Sequence, residues 1–333
     1  MIAKRSVLLL VTMLGISASL QALQIKIASV APADSPYGVA LNRIAADWER
    51  ISGGEVQVSI YNNGVAGDQA DVLRKIRIGE LQGGIFASSG IAPMAKGVLS
   101  VSVPFLIQSD AELAYVMKDL APILDRQLRE QGFEAVSWAD AGWLYLFSTK
   151  QLSRPAQLSS VRLALPPDEN SLLDAFKAVG YHPVPLDIPD TLSGLNSGLV
   201  GAILSSPLLA AGYQWFGVAH NMLDLPIAPV LGTILIDERT WQRIPEKFRS
   251  QFLAAARNAQ ETLAGQLKSL ERNAIDTMQQ YGLNVEQVSA TSRNAWAGEF
   301  ASHRAAIVNA GFDARTVALI EEDLLKYRAV ASR

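Results

Sequence analysis

The stretch 53-GGEVQVSIYNNGVAGDQADVLRKIRIGELQGGIFASSGIA-92 decides the fold class. Residues 55–64 alternate apolar and polar side chains and end in an Asn-Asn-Gly turn, a pattern that predicts a strand. Residues 68–81 have the spacing of an amphipathic helix, and residues 82–90 are typical of a short buried strand. So short a strand–helix–strand run implies parallel strands joined by right-handed crossovers.

This α/β pattern extends in both directions along the chain. Residues 23–32 alternate and stop at a proline, as a first strand does, and residues 35–54 predict a helix that ends at two glycines. Downstream, residues 132–150 predict two apolar strands, and residues 161–207 alternate short strands with helices. The chain therefore contains a second α/β unit of similar size.

A long helix is predicted over residues 246–281, which are rich in alanine, glutamine, lysine and glutamate. Pro245 suits its first turn, and the helix is long enough to cross more than one domain. The predicted fold class is α/β with two lobes. Because ligands of open α/β sheets bind outside the carboxyl ends of the strands, the cleft between the lobes is the expected site.

Composition excludes several classes of function. The chain has 333 residues, 49% of them hydrophobic and 18% charged, with a formal net charge of −3 and scattered basic residues. It lacks the electrostatic footprint of a nucleic-acid-binding protein. It also lacks cysteine, which excludes disulfides, thiolate metal sites and cysteine nucleophiles.

The N-terminus has the layout of a secretory signal peptide. Lys4 and Arg5 precede an apolar run that extends from Val7 to about Leu20, and small or polar residues follow. The run is short for a membrane span, although an uncleaved anchor is the alternative. We expect a signal peptide over residues 1–22, cleavage near Leu23, and a periplasmic mature protein.

Catalytic and metal-binding patterns are missing from the sequence. The three histidines form no ligand-spaced pair, and the glycine-rich segments lack the phosphate-loop lysine and the dinucleotide fingerprint. Asp168 and Glu169 follow two prolines and are interpreted as a solvated helix start. The sequence therefore predicts no enzyme, no metal and no cofactor.

Several motifs, in the right order, resemble the solute-binding proteins of tripartite ATP-independent periplasmic (TRAP) transporters. The matching segments are residues 53–92, VPFLIQSDAEL (103–113), residues 132–167, LSGLNSGLVGAILSSP (192–207) and WQRIPEKFRSQFLAAARNA (241–259). The resemblance implies a receptor that closes on a small organic acid between two lobes and delivers it to a membrane permease. No cofactor is needed for that task.

The resemblance also implies how the chain divides between the lobes. Lobe I is expected to comprise residues 23–146 plus about 234–265, and lobe II residues 147–233 plus about 283–333. Crossing strands form the hinge between the lobes, and the long helix at about 246–281 braces both.

The segment SSVRLALPP, residues 159–167, departs from the family at its main ligand anchor. Aligned on Pro166, Ala164 falls where most members carry the arginine that clamps the ligand carboxylate, and Arg162 falls on the preceding lysine. Arginine suits that clamp because its planar fork makes two parallel charge-assisted hydrogen bonds. Residues two apart share one face of a strand, so Arg162 either replaces the missing fork or keeps its head solvated.

Two further family positions have lost their polar groups. Aligned on Gly142, a second basic position falls on Leu144, and the family's acidic and amide positions fall on residues 201–205. Three losses in one cleft predict an altered ligand, more hydrophobic or neutral than a simple carboxylate.

The remaining candidates are aromatic or small residues near the expected cleft. They would bury apolar ligand surface and orient it with a few hydroxyl groups, although strand aromatics often belong to the core. The full candidate set is Tyr37, Phe86, Ser88, Ser89, Trp143, Leu144, Tyr145, Arg162, Ala164, Ser205, Ser206, Tyr213, Trp215 and Phe216.

Two functions from different classes remain open at this point. The first is a TRAP-type receptor for a small-molecule ligand, with permease subunits as its partner. The alternative is a periplasmic carrier or interaction protein that works with a non-permease, helical-repeat partner.

Overall fold

A computed structural model of the chain describes residues 22–331. Its strands are β1 (Leu23–Ala28), β2 (Val56–Tyr61), β3 (Gly83–Ala87), β4 (Phe133–Ser148), β5 (Arg162–Leu165), β6 (His182–Pro185), β7 (Ala202–Ser205), β8 (Asn221–Asp237) and β9 (Asn284–Gln287). Its α-helices are α1 (Pro36–Ser52), α2 (Gln69–Arg77), α3 (Ser88–Ile91), α4 (Asp110–Glu130), α5 (Pro155–Leu158), α6 (Asn170–Ala178), α7 (Thr191–Asn196), α8 (Pro207–Gly212), α9 (Glu238–Arg243), α10 (Glu246–Gln280), α11 (Ala290–Ser302), α12 (Arg304–Asn309) and α13 (Ala314–Ala331). Short 3₁₀ helices span Lys96–Ser102, Ile188–Asp190 and Trp215–Gly217.

The described strands form one mixed sheet in the order β2-β1-β3-β8-β4-β7-β5-β6, and β9 pairs with β8. β1 pairs in parallel with β2 and with β3, which confirms the parallel unit predicted from residues 53–92. β5 likewise pairs in parallel with β6 and with β7. Each end of the sheet is thus a small parallel unit, as the two predicted α/β units require.

The two long strands β4 and β8 join these parallel units. They run antiparallel to each other, with register shifts, and β4 also pairs with β7 while β8 pairs with β3. The prediction of two separate strands within residues 132–150 is wrong, because β4 continues through an irregularity between Asp140 and Trp143. Gly142 lies in this irregularity with a φ of 98°, which glycine adopts easily, so the strand continues through it.

Helix α10 braces both halves of the sheet. It spans Glu246–Gln280, one residue shorter than predicted, with Pro245 at its N-cap. It contacts α1, β4 and α8. The contact with α1 centres on Trp48, whose ring stacks on Phe252 at a centroid distance of 4.5 Å and whose Nε1 donates to the Phe252 carbonyl oxygen.

The C-terminal helices pack against other helices of the chain. Helix α13 packs against α4 and against the 3₁₀ helix at Lys96–Ser102, while α12 packs against α6. The α/β two-lobed fold predicted from the sequence is confirmed by the solved relatives described below. The lobe boundaries stay a prediction.

Two further findings concern the described residues 22–331 alone. The signal-peptide prediction falls on residues 1–22, almost all of which lie outside them. None of the helices described is both long enough and apolar enough to span a membrane.

Candidate ligand-binding cleft

The carboxyl ends of β3, β5 and β7 form the candidate cleft. β3 ends at Ala87, directly before α3, and β5 ends at Leu165, before the Pro166–Pro167 pair. The Ser89 side chain, from the β3 side, lies close enough to the Glu169 carboxyl group, from the β5 side, to influence its pKa. The two parallel units therefore approach each other at the place where the general rule for α/β sheets puts a ligand.

Glu169 is the unexpected residue of this cleft. Burial, the largest effect, and the nearby Asp168 charge raise its pKa from the usual 4.5 to about 7, although the Ser89 hydrogen bond opposes the shift. The predicted helix start is confirmed, because Glu169 lies at the N-cap position of α6, but Glu169 is half-buried rather than solvated and its side chain does not cap the helix. The two prolines turn the chain so that Asp168 is exposed while Glu169 points inward.

A small apolar cavity lies beside Ala164. Its volume is about 30 Å³. It is lined by Ala164, Leu165, Pro166, Leu186, Ile188, Thr191, Ile203, Leu204, Leu209 and Trp215. Trp215 is 3% exposed, and its Nε1 has no hydrogen-bond partner. The residues that line this cavity therefore include no cation.

Arg162 lies at the opposite end of β5. Its side chain is exposed, and Nη2 donates to the carbonyl oxygen of Gly198 at 2.9 Å. Gly198 precedes β7, so this contact is at the amino ends of the strands. In this arrangement Arg162 does not reach the residues of the cleft.

Trp143 and Tyr145 lie in a second cavity, between α10 and the crossing strands. This hinge cavity has a volume of about 560 Å³. Trp143 Nε1 donates to Asp110 Oδ1 at 2.7 Å, and Lys268 forms an ion pair with the same carboxylate. Burial, followed by repulsion from Asp140 and Asp110, raises the pKa of Glu271 to about 7. The hinge cavity is thus polar and rich in carboxyl groups.

Tyr37 adjoins the hinge cavity rather than the strand ends. Its hydroxyl group donates to the carbonyl oxygen of Ala141 at 3.0 Å. Burial, followed by the charges of Glu271 and Asp140, raises its pKa to about 12. The hydroxyl group is therefore a neutral donor that fixes the start of α1 on β4.

Most of the other candidates are already engaged within the protein. Phe86 is fully buried, and Leu144 packs against the main core. The hydroxyl groups of three serines bond the backbone: Ser88 donates to Leu231 O, Ser205 donates to Ser206 O, and Ser206 accepts from Leu209 N. Tyr213 is 46% exposed and stacks on Trp215, and Phe216 is half-buried beside it.

Two polar residues were missed by the sequence reasoning. Glu169 could have been found from its position just beyond the carboxyl end of β5, where ligand-contacting loops lie. Glu271 carries no such signal, because its place opposite Asp140 depends on how α10 docks on β4. Within residues 22–331 no group of three or more histidine or acidic side chains is placed to hold a metal ion.

The titration of Glu169 leads to a testable pH dependence. Because its pKa is higher in the folded protein, the folded state binds the extra proton, and this contribution to stability falls as pH rises from about 4.5 to 7. Glu169→Gln should therefore gain about 1 kcal/mol relative to wild type between pH 5 and pH 8, or roughly 2 °C in Tm. Thermal unfolding at both pH values measures the difference.

Glu271 titrates in the same range, so the comparison with wild type at each pH is the informative quantity. Asp190→Asn, which removes an exposed carboxyl group, is the control. A Glu169→Gln variant whose Tm differs from that of wild type by the same amount at both pH values would show that this carboxyl group does not carry the shifted pKa.

Comparisons with known proteins agree with this architecture. A solute-binding protein of Chromohalobacter salexigens is 21% identical over 272 residues, which cover 79% of each chain. Among solved structures, a TRAP periplasmic solute-binding protein from Desulfovibrio salexigens with bound orotic acid has a TM-score of 0.79 at 17% identity, covering 92% of this chain and 99% of that one. A TRAP periplasmic solute-binding protein from Rhodobacter sphaeroides, in an open apo form, has a TM-score of 0.81 at 17% identity, covering 91% and 99%.

A family model matches most of the chain. Residues 27–308 match the family described as DctP, bacterial extracellular solute-binding protein, family 7. This is a family of binding proteins and not of enzymes, and the resemblance inferred from the motifs is confirmed at the level of the family. The chain therefore belongs to the DctP family of bacterial extracellular solute-binding proteins.

Proposed function

We propose that this chain is a periplasmic receptor that captures a small, uncharged and partly apolar organic solute at the carboxyl ends of β3, β5 and β7. The observation that carries the proposal is the cavity beside Ala164, whose lining residues include no cation. A ligand carboxylate placed there would lose its hydration without gaining a charged partner.

Glu169 supports the same conclusion from the other side of the cleft. Its carboxyl group is half-buried and lies near Ser89, which belongs to the other parallel unit. A carboxylate ligand would meet a second acid there, and two close carboxyl groups resist joint ionisation. A hydroxyl, amide or carbonyl group of a neutral ligand would pair with Glu169 without this repulsion.

Closure and delivery follow from the same architecture. β4, β8 and α10 are the connections about which the halves would close, and a ligand that prefers the closed form would stabilise it. The proposed partner is a TRAP-type permease, and the proposed route to the periplasm is a cleaved signal peptide. A helical-repeat partner stays the alternative, and a stable complex with such a protein in place of a permease would favour it.

Pairs of acids with their neutral analogues test the proposal directly. Orotate, which the Desulfovibrio relative holds, is compared with uracil, and D-glucuronate is compared with D-glucose. We expect neither acid to raise the Tm of the purified protein at millimolar concentration, whereas a neutral compound that fits should raise it. A panel of amides, lactams and ketones extends the neutral set.

The contradicting result is stabilisation by one of the acids and not by its neutral analogue. Isothermal titration of the same acid would then give its affinity. Tight binding of orotate would show that a cation outside the Ala164 cavity holds the carboxylate.

A further inference from the structure

We infer that a proton controls the contact between α10 and the crossing strand β4. A proton shared by Glu271 of α10 and Asp140 of β4 keeps the long helix on the strand, and loss of this proton loosens the contact. The inference goes beyond the proposed function, because it concerns the connection between the two halves of the sheet and not the ligand.

Three carboxyl groups from three elements meet in the hinge cavity. Asp110 begins α4, Asp140 lies on β4 and Glu271 lies on α10. Asp110 is well compensated, since it forms an ion pair with Lys268 and accepts the hydrogen bond from Trp143 Nε1. In the described part of the chain neither Asp140 nor Glu271 forms an ion pair. These two acids therefore lack a cation of their own.

Both of these acids contact the same glycine of the crossing strand. The Gly142 amide donates to Asp140 Oδ1 at 2.9 Å. Glu271 Oε1 lies 2.7 Å from the position that a Cβ atom of Gly142 would occupy. Gly142 is also the residue at which the pairing of β4 with β8 becomes irregular. The two acids thus meet at the point where the crossing strand is least regular.

The pKa shifts of the two acids agree with a shared proton. Burial, followed by the Asp140 and Asp110 charges, raises the pKa of Glu271 to about 7. Burial also raises the pKa of Asp140, although the Gly142 amide opposes this shift. Close carboxyl groups resist joint ionisation and titrate as a pair. The stabilisation from protonated Glu271 is therefore complete below about pH 4.5 and is lost as pH rises through about 7.

The other titratable groups that line the cavity leave this pair as the one that changes charge near neutral pH. Tyr37 and Tyr145 keep their hydroxyl protons, because burial, followed by nearby acids, raises the pKa of each. Asp224 of β8 accepts a hydrogen bond from a glutamine of β9 at 2.9 Å. Arg272 and Asp276 of α10 are exposed to water.

Deprotonation of the pair acts on the helix that connects the two halves of the sheet. Helix α10 contacts α1, which packs on the first parallel unit, and it also contacts β4 and α8. Two negative charges at Gly142 repel each other and favour an arrangement in which α10 lies farther from the strand. The relative position of the two parallel units should therefore depend on pH.

Distances between spin labels on the two parallel units test the inference. The chain has no cysteine, so Val65→Cys, beyond β2, and Ser193→Cys, in α7, give two specific labels at exposed positions. We expect the distance distribution from double electron–electron resonance, without added ligand, to differ between pH 5 and pH 8 with a midpoint near 7. The ratio of the two populations should change about tenfold, since one pKa unit corresponds to a factor of ten.

Three variants of the labelled protein assign the change to the pair. Glu271→Gln removes the titrating group and should keep the pH 5 distribution at both pH values. Asp140→Asn retains an acceptor for the Gly142 amide and removes the repulsion, so it should weaken the pH dependence. Asp276→Asn, which removes an exposed carboxyl group of the same helix, is the control. Circular dichroism shows whether each variant is folded.

A wild-type distribution that is the same at pH 5 and pH 8 overturns the inference. A Glu271→Gln protein that changes with pH as wild type does also overturns it, because the change would then come from other groups, such as the three histidines. Either result leaves the neutral-ligand proposal intact, since the comparison of acids with their neutral analogues tests that proposal separately.

Discussion

Replacing Ala164 by arginine is expected to lower the free energy of unfolding by about 4 kcal/mol. Ala164 is 4% exposed, and the cavity beside it has a volume of only about 30 Å³. An arginine side chain would overpack this space, and its charge would be buried among apolar groups without an anionic partner. Urea denaturation of Ala164→Arg and wild type at one pH measures the change.

Ala164→Met separates the effect of charge from that of volume. Methionine adds a flexible apolar side chain at the same position, so the loss should be about 1–3 kcal/mol. An Ala164→Arg protein that is as stable as wild type and binds orotate would contradict the account. It would mean that the cleft has room for an arginine at this position and that such an arginine can hold an acid.

Replacing Trp48 by alanine is expected to lower the free energy of unfolding by about 3–5 kcal/mol. Trp48 is 1% exposed and lies between α1 and α10, where it stacks on Phe252 and donates to its carbonyl oxygen. Truncation would leave a cavity under the helix that braces both halves of the sheet. Denaturant unfolding followed by circular dichroism provides the measurement.

Trp48→Phe is the matched control for this prediction. It keeps an aromatic ring against Phe252 and removes the indole donor, so we expect a loss of about 1–2 kcal/mol. If the free energy of unfolding of Trp48→Ala lay within 1 kcal/mol of the wild-type value, the packing of α10 against α1 would not depend on this contact.

Local sequence patterns predicted the elements on which the fold is built. The alternation in residues 55–64 and the helical spacing in 68–81 correspond to β2 and α2, and the Ala/Gln/Lys/Glu-rich segment corresponds to α10 within one residue. These features are local, because the repeat of apolar side chains in a strand or a helix can be recognised within a few consecutive residues. Residues 132–150 were predicted as two strands because the continuity of β4 depends on its pairing with β8, which is distant in sequence.

The cleft was harder to predict because its properties arise from tertiary contacts. The absence of arginine at Ala164 is visible in the sequence, whereas the unpaired state of Trp215 Nε1 is visible only once its surroundings are known. Trp143 is a strand aromatic like many others, and its place below α10 depends on the Asp110 and Lys268 contacts. The half-burial of Glu169 likewise depends on residues distant in sequence, such as Ser89 in α3.

Native mass spectrometry of the protein isolated from its own periplasm, followed by extraction and identification of the bound molecule, tests the central claim most directly. The account predicts a neutral organic molecule without a carboxylate group. A bound carboxylic acid would contradict it.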